Sequence, residues 1–223
     1  MRGILLVGSW ARGDALRGAD VDLEVLVKRV PLEAFQVRRG AARDGGGGDA
    51  TSSPVVEIRY LDEDAWRVRL GESPTSLYSF RDGRILFERG EGLRSLADLA
   101  DERWRAFRWS GDEVFATLRW LQLAGLKVRA AYEEGDYLRA ALVLSTTLWK
   151  TLEGLWMING LPMPAAGGVM AHLDDLARTP PELRSELQAL LLGGSLVSGL
   201  RIIDWVADEL AALAGGPAEA GAA

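Results

Sequence analysis

The first hundred residues carry short apolar runs separated by polar turns, a pattern typical of strands. Ile4–Val7 is a continuous apolar run that ends at Gly8, so we expect a buried strand there. Over Val21–Val27 apolar and acidic positions alternate, which places Asp20, Asp22 and Glu24 together on one strand face. The other elements predicted in this half are strands at Val55–Leu61, Leu77–Phe80 and Ile85–Phe87, the last after an Asp82-Gly83 hairpin signal, and helices at Ser9–Arg17 and Leu32–Ala42.

The rest of the chain shows the helical period instead. Ser110 and Glu113 form a capping-box pattern, and Gly135-Asp136 indicates a helix stop followed by a new N-cap. Asn159–Pro162 ends the second long helix, and further helices are predicted at Val169–Ala177, after Thr179–Glu182 and at Leu196–Leu213. The second long helix carries the apolar stripe that we expect to form the bundle core: Leu138, Ala141, Leu142, Ser145, Leu148, Trp149, Leu152, Leu155 and Trp156.

These patterns predict an α+β protein in which a mixed sheet with flanking helices precedes an all-α antiparallel bundle. We place the first domain at residues 1–98, the bundle at 99–214 and a disordered tail at 215–223. The glycine- and serine-rich stretch 43–54 buries little and is predicted to be a mobile loop.

Composition narrows the function classes. A net charge of -6 argues against a general nucleic-acid binder, although a bound cation can still provide positive charge for a nucleotide. The absence of cysteine excludes disulfides, thiolate metal sites and cysteine nucleophiles. The N-terminal apolar run is too short for a signal peptide, and no apolar stretch approaches the roughly 20 residues that span a bilayer. We therefore expect a cytoplasmic protein with no membrane partner.

The candidate chemistry lies in one ordered constellation of a strand, Gly8-Ser9, and Asp20 and Asp22 on the next strand. Glycine after a strand lets the backbone approach a phosphate, and the following helix start offers free N–H groups. The Ser9 hydroxyl would bind the same phosphate. Because Asp20 and Asp22 leave the same strand face, their carboxylates repel each other, and a divalent cation such as Mg²⁺ relieves that repulsion.

A third carboxylate is expected on a neighbouring strand, because phosphoryl chemistry often uses two cations about 4 Å apart. Glu57 lies between β-forming residues and fits this role, as a metal ligand and as the group that takes the acceptor's proton. An exposed edge-strand glutamate would have the same pattern, and Asp62 and Asp64 are rivals at the end of that strand.

The segment GSWARGDALRGADVDLEVLV resembles the signature of the DNA polymerase beta-like nucleotidyltransferase superfamily, in which Gly-Ser is followed by about ten residues and Asp-x-Asp. Here ten residues, 10–19, separate Ser9 from Asp20, and Arg12-Gly13 matches the Ala-Arg-Gly common after the serine. DGRILFERGEGL is similar to the closing hairpin of such domains. The resemblance implies two Mg²⁺ ions with Mn²⁺ as an alternative, a nucleoside triphosphate such as ATP, and pyrophosphate as a product.

The long helices around LEGLWMINGLPMP are similar to the C-terminal bundles of kanamycin- and lincosamide-type nucleotidyltransferases, which implies a bundle that binds the acceptor. Ala19 stands where the family commonly has serine, and Glu24 is an unusual third acid, interpreted as an outer or solvated residue. Arg12 is predicted either to contact phosphate or only to pair with Asp14 or a carbonyl. His172 is interpreted as a helix-surface residue, since the Arg–spacer–His motif of ribonuclease toxins with a related bundle is absent.

The sequence leaves the acceptor open between a hydroxylated small molecule and a protein side chain, and it leaves a homodimer open. Two alternatives of another class are an antitoxin-like binding partner and a nucleotide sensor without transfer activity. The tryptophans Trp104, Trp109 and Trp120 are expected in the core, with an acceptor cleft as the alternative.

Overall fold

A computed structural model describes residues 1–39 and 55–215 of the 223-residue chain. The predicted loop 43–54 and all of the predicted tail except residue 215 lie outside the described residues. The described chain forms two compact units. The first contains 1–107 and 163–173, and the second contains 108–162 and 174 onward.

The first unit is built on a mixed five-stranded sheet. Its strands are β1 Gly3–Val7, β2 Val21–Leu26, β3 Phe35–Arg39, β4 Val55–Leu61 and β5 Arg84–Glu88, in the order β3-β4-β2-β1-β5. β2 and β4 pair in parallel, whereas the other neighbours are antiparallel. The predicted mixed sheet with flanking helices, followed by a helical region, is therefore confirmed.

Four helices accompany the sheet: α1 Gly8–Arg12, α2 Glu63–Glu72, α3 Leu77–Arg81 and α4 Gly92–Ala106. One face of the sheet contributes Leu5 and Leu26 to a core that Trp66 of α2 and Leu93 and Leu96 of α4 complete. All five side chains are almost fully buried, which stabilises the packing of α2 and α4 on the sheet.

Two elements predicted in this unit were wrong. Leu32–Ala42, predicted as a helix, contains β3, because pairing with β4 overrides an ambiguous local pattern. Leu77–Phe80, predicted as a strand, is α3, in which the adjacent residues Leu77 and Tyr78 are both buried. An apolar run this short fits a buried strand or a buried helix equally well.

The glycine turns also differ from prediction. α1 ends at Arg12 instead of Arg17, because Gly13 takes the left-handed conformation with φ 87° that terminates the helix. Asp82 and Gly83 connect α3 to β5, so they do not form the predicted strand-to-strand hairpin.

The second unit is helical. It comprises α5 Gly111–Glu133, α6 Tyr137–Ile158, α7 Leu183–Gly193 and α8 Leu196–Gly215. The predicted capping box is present: the Ser110 side chain accepts a hydrogen bond from the Glu113 N–H, and the Glu113 carboxylate accepts one from the Ser110 N–H. Asp136 caps α6 by accepting from the Arg139 N–H.

The predicted stripe on α6 was only partly right. Leu152, Leu155 and Trp156 are buried, but Leu138, Leu142 and Trp149 are exposed, Trp149 by 47%. Over its first four turns α6 buries Ala140, Leu144, Thr147 and Thr151 instead, three of which are small. Small residues suit close helix packing, since a Cβ on Gly199 of α8 would overlap the Leu144 side chain.

Unit boundaries differ from the predicted ones. α4 extends to Ala106 and packs in the sheet core, so the first unit continues to Phe107 instead of residue 98. Residues 163–173 also belong to the first unit. The helix predicted at Val169–Ala177 is replaced by two short 3-10 turns, Ala166–Gly168 and Leu173–Asp175.

Among the described residues, none of the helices has the length and apolar character needed to cross a bilayer.

Candidate active site

Strand register brings the three predicted carboxylates together. In the parallel β2–β4 pair Asp22 lies opposite Glu57, and Asp20 lies just before β2. One oxygen from each of Asp20, Asp22 and Glu57 lies within 4.8 Å of the other two. Asp20 is exposed, whereas Asp22 and Glu57 are half-buried. Three carboxylate oxygens this close form a donor set that could hold a metal ion.

The electrostatics of the cluster are unfavourable without a cation. Burial of Asp22, followed by the negative charges of Asp20, Glu57 and Glu24, raises its pKa from 3.8 to about 6, although Arg59 opposes the shift. A carboxyl with a raised pKa among other carboxylates is typical of a site that a cation completes.

Gly8 touches the same cluster from the end of β1. Its φ of 70° lies in the left-handed region, and a Cβ added there would overlap the Asp22 Oδ2 atom. Val7, the preceding residue, pairs with Asp22 across the β1–β2 ladder. The glycine is therefore required both by the backbone turn and by the position of the Asp22 carboxylate.

Ser9 and Arg12 follow on α1. Ser9 is half-buried, and its carbonyl accepts hydrogen bonds from the N–H groups of Gly13 and Asp14. Arg12 pairs with Asp14, with 3.2 Å between Nε and Oδ2, and its Nη1 lies 3.8 Å from Asp82 Oδ2. Its Nη2 also donates to the Gly167 carbonyl at 3.2 Å. The predicted pairing of Arg12 with Asp14 is thus observed, and its contact with phosphate stays a prediction.

A cavity of about 440 Å³ lies beside these residues within the first unit. Gly8, Arg12, Asp22 and Glu57 line it, whereas Ser9 and Asp20 lie outside its lining. The rival acids have other positions: Asp62 caps α2 by accepting from the Ala65 N–H, and Asp64 is exposed in the first turn of α2.

The structure adds Asp82 and His172, which sequence reasoning missed. His172 is 8% exposed, so its assignment to a helix surface was wrong. Its Nε2 lies 2.9 Å from Asp82 Oδ2, and its ring packs on Tyr78 with 4.7 Å between centroids. Asp82 and Tyr78 both line the cavity, so His172 ties residues 163–173 to its wall. Ninety residues separate the two partners, and no local pattern indicates such a contact.

Glu24 is also buried, at 4% exposure, although the sequence suggested an outer or solvated residue. Its Oε1 accepts from Arg69 Nη1 at 2.7 Å and lies 3.5 Å from Arg59 Nη1. These arginines make burial of the charge tolerable. Glu24, Arg59 and Arg69 all line the cavity.

Comparison with solved structures finds nine chains that match this one. A solved structure of a nucleotidyltransferase-like protein from Exiguobacterium sibiricum matches 96% of this chain and 71% of its own, with a TM-score of 0.45 and 18% identity. A similarity of this size does not bear on activity. No protein-family model matches the chain, and no curated protein matches it.

Proposed function

We propose that this protein is a Mg²⁺-dependent nucleotidyltransferase that moves a nucleoside monophosphate from a nucleoside triphosphate, such as ATP, to a hydroxyl acceptor. The observation that carries the proposal is the convergence of Asp20, Asp22 and Glu57 within 4.8 Å beside a cavity of about 440 Å³. The Gly-Ser, ten-residue spacer and Asp-x-Asp pattern of the sequence supports the same assignment.

Asp20, Asp22 and Glu57 would hold the cation, or two cations, with Mn²⁺ as a substitute. Bound Mg²⁺ supplies charge neutralisation on the triphosphate and lowers the pKa of an attacking hydroxyl. The raised pKa of Asp22 supports this fit, because a carboxylate crowded by others gains most from a cation.

The chain's own groups have distinct tasks in the transfer. The acceptor oxygen forms a bond to the α-phosphorus, the bond from that phosphorus to the bridging oxygen breaks, and pyrophosphate leaves. Glu57 is half-buried beside the cavity and takes the proton of the acceptor hydroxyl. Gly8 leaves space for the triphosphate, and the Ser9 hydroxyl and Arg12 guanidinium are the proposed phosphate donors.

The acceptor is a hydroxylated small molecule or a protein side chain, and acceptor selection by the helical unit stays a prediction. The acidic balance of the chain supports a partner other than nucleic acid.

The test is transfer of label from α-³²P-ATP with Mg²⁺ to a panel of hydroxylated small molecules and proteins. Wild type should label an acceptor and release pyrophosphate, whereas Asp20→Asn/Asp22→Asn should lose at least about a hundredfold in rate. Asp64→Asn is the matched control, because this exposed aspartate lies outside the cavity lining, and it should retain full activity.

Equal labelling by wild type and the double variant would overturn the proposal. Binding of Mg²⁺ and nucleotide without any pyrophosphate release, over the whole acceptor panel, would favour the nucleotide-sensing alternative instead.

A further inference from the structure

Among the described residues, one buried carboxylate oxygen in the cavity wall has no hydrogen-bond partner. Glu24 is 4% exposed, and both arginine contacts go to its Oε1 atom. The Oε2 atom is buried and has no hydrogen-bond partner among the described residues. A buried charged oxygen without a donor is costly, so a rotation of the Glu24 side chain that presents Oε2 to a donor on a ligand in the cavity would be favoured.

The neighbours of Glu24 indicate which ligand group would meet it. Glu24 lies opposite Arg59 in the β2–β4 pair, and Arg59 lies opposite Phe35 in the β3–β4 pair. Side chains of residues paired across strands leave the same sheet face, so Phe35, Arg59 and Glu24 form one row, called here the Glu24 row. All three line the cavity, and Phe35 is 49% exposed.

This combination has the chemistry of a nucleobase site. Aromatic rings and arginine guanidinium planes stack on bases, and a glutamate carboxylate accepts hydrogen bonds from an exocyclic amine. The Glu24 row is two residues further along β2 than Asp22, about 7 Å from the metal-binding carboxylates. That separation leaves space for a ribose between phosphate and base.

We propose that the Glu24 row is the base-recognition subsite, in which Phe35 and Arg59 stack on the base and Glu24 Oε2 accepts from its exocyclic amine. The inference rests on the proposed function, because it needs a nucleotide in the cavity. Glu24 Oε2 would make the subsite prefer bases that carry an exocyclic amine. A keto oxygen in the amine's place would face the lone pairs of the Glu24 carboxylate and be repelled.

Calorimetric titration of the full-length protein with Mg²⁺-nucleotides, without acceptor, tests the inference through affinity alone. The probes are two pairs in which a keto oxygen replaces the exocyclic amine, ATP and inosine triphosphate, and CTP and UTP. Wild type should bind the amino member of at least one pair about tenfold more tightly or better. Glu24→Gln should reduce that ratio to near unity, because its amide can face either an amine or a keto oxygen.

Two further variants allow the proposal to be tested even if the Glu24→Gln protein does not fold. Phe35→Leu, at an exposed position, should weaken all triphosphates about tenfold and leave the amine-to-keto ratio unchanged. Glu63→Gln is the matched control, because Glu63 also contacts two arginines, Arg2 at 3.6 Å and Arg67 at 3.0 Å, but lies outside the cavity lining. It should leave every affinity unchanged.

Each result decides between distinct failures. If no triphosphate binds wild type, the proposed function fails and this inference fails with it. If triphosphates bind wild type without an amine preference, or if folded Glu24→Gln keeps the preference, only the subsite is overturned. The ribose 2′-hydroxyl is the other donor that could reach Glu24, and a titration with 2′-deoxy-ATP tests it. If Glu24→Gln changes the ratio of the ATP and 2′-deoxy-ATP affinities instead of the amine-to-keto ratio, the ribose hydroxyl is the partner and base recognition is wrong.

Discussion

At the residue scale, Asp22 is the carboxyl of the cluster whose ionisation is disfavoured by its surroundings. Its pKa is raised to about 6, first by burial and then by Asp20, Glu57 and Glu24. A group whose pKa is raised in the folded state stabilises the fold at low pH. That contribution is lost as the pH rises between the ordinary value of 3.8 and about 6. The metal-free protein should therefore gain stability when Asp22 cannot ionise.

Asp22→Asn should raise the free energy of unfolding of the metal-free protein at pH 8 by about 1 kcal/mol, a value that allows for the partial solvent exposure of Asp22. The difference from wild type should shrink as the pH falls toward 4, because wild-type Asp22 then becomes protonated. Urea unfolding in EDTA at pH 8 and pH 4.5 measures both effects. Asp64→Asn should change neither, and a less stable Asp22→Asn protein at pH 8 would contradict the account.

The convergence of the three carboxylates could be predicted from sequence because the spacing of two of them is local. Asp20 and Asp22 are two residues apart at the start of β2, and Glu57 lies within a β-forming run. The burial of Glu24 and His172 could not be predicted, because their partners Arg69 and Asp82 are 45 and 90 residues away. Such contacts depend on how helices pack on the sheet.

At the scale of elements, the β1–α1 turn places the glycine predicted to approach phosphate beside the carboxylate cluster of Asp20, Asp22 and Glu57. Gly8 and Gly13 both adopt left-handed conformations, with φ 70° and 87°. They differ in surroundings, since a Cβ on Gly8 would overlap Asp22 Oδ2 and a Cβ on Gly13 would meet nothing within 4 Å. Substitutions at these two glycines therefore separate backbone strain from displacement of the Asp22 carboxylate.

Gly8→Ala should weaken Mg²⁺ binding at least about tenfold, because Asp22 has to move, and should destabilise the protein by about 1–2 kcal/mol. Gly13→Ala should lose about 1 kcal/mol of stability but keep the wild-type Mg²⁺ affinity. Calorimetric Mg²⁺ titration and urea unfolding give the two quantities. Equal Mg²⁺ affinities for the two variants would show that Gly8 serves only the turn.

Elements with strong local signals were predictable, and those decided by tertiary pairing were not. β1, β2 and β4 follow from apolar or alternating runs, and α5 follows from its capping box. β3 exists because it pairs with β4, and α3 buries two adjacent residues in a helix only five residues long. In both cases packing outweighs the local pattern.

At the scale of the whole molecule, charge balance sets a condition on the ligand. The chain has 32 acidic and 26 basic residues, and the cavity is lined by four acids, Asp22, Glu24, Glu57 and Asp82. Each of the three cavity arginines has a carboxylate partner: Arg12 has Asp14 and Asp82, and Arg59 and Arg69 have Glu24. A triphosphate entering this cavity without a cation meets charge of its own sign.

Binding of ATP should therefore depend on a divalent cation. Replacing Mg²⁺ by EDTA and sodium chloride at equal ionic strength should weaken ATP at least about tenfold, and Mn²⁺ should restore the affinity. Calorimetric titration measures the ATP affinity under each condition, with Asp20→Asn/Asp22→Asn as the matched variant. Removing two carboxylates lowers the repulsion, so this variant should bind ATP in EDTA no worse than wild type yet gain little from Mg²⁺. An ATP affinity for wild type that EDTA leaves unchanged would mean that the protein's own cations bind the triphosphate and that the three carboxylates serve another purpose.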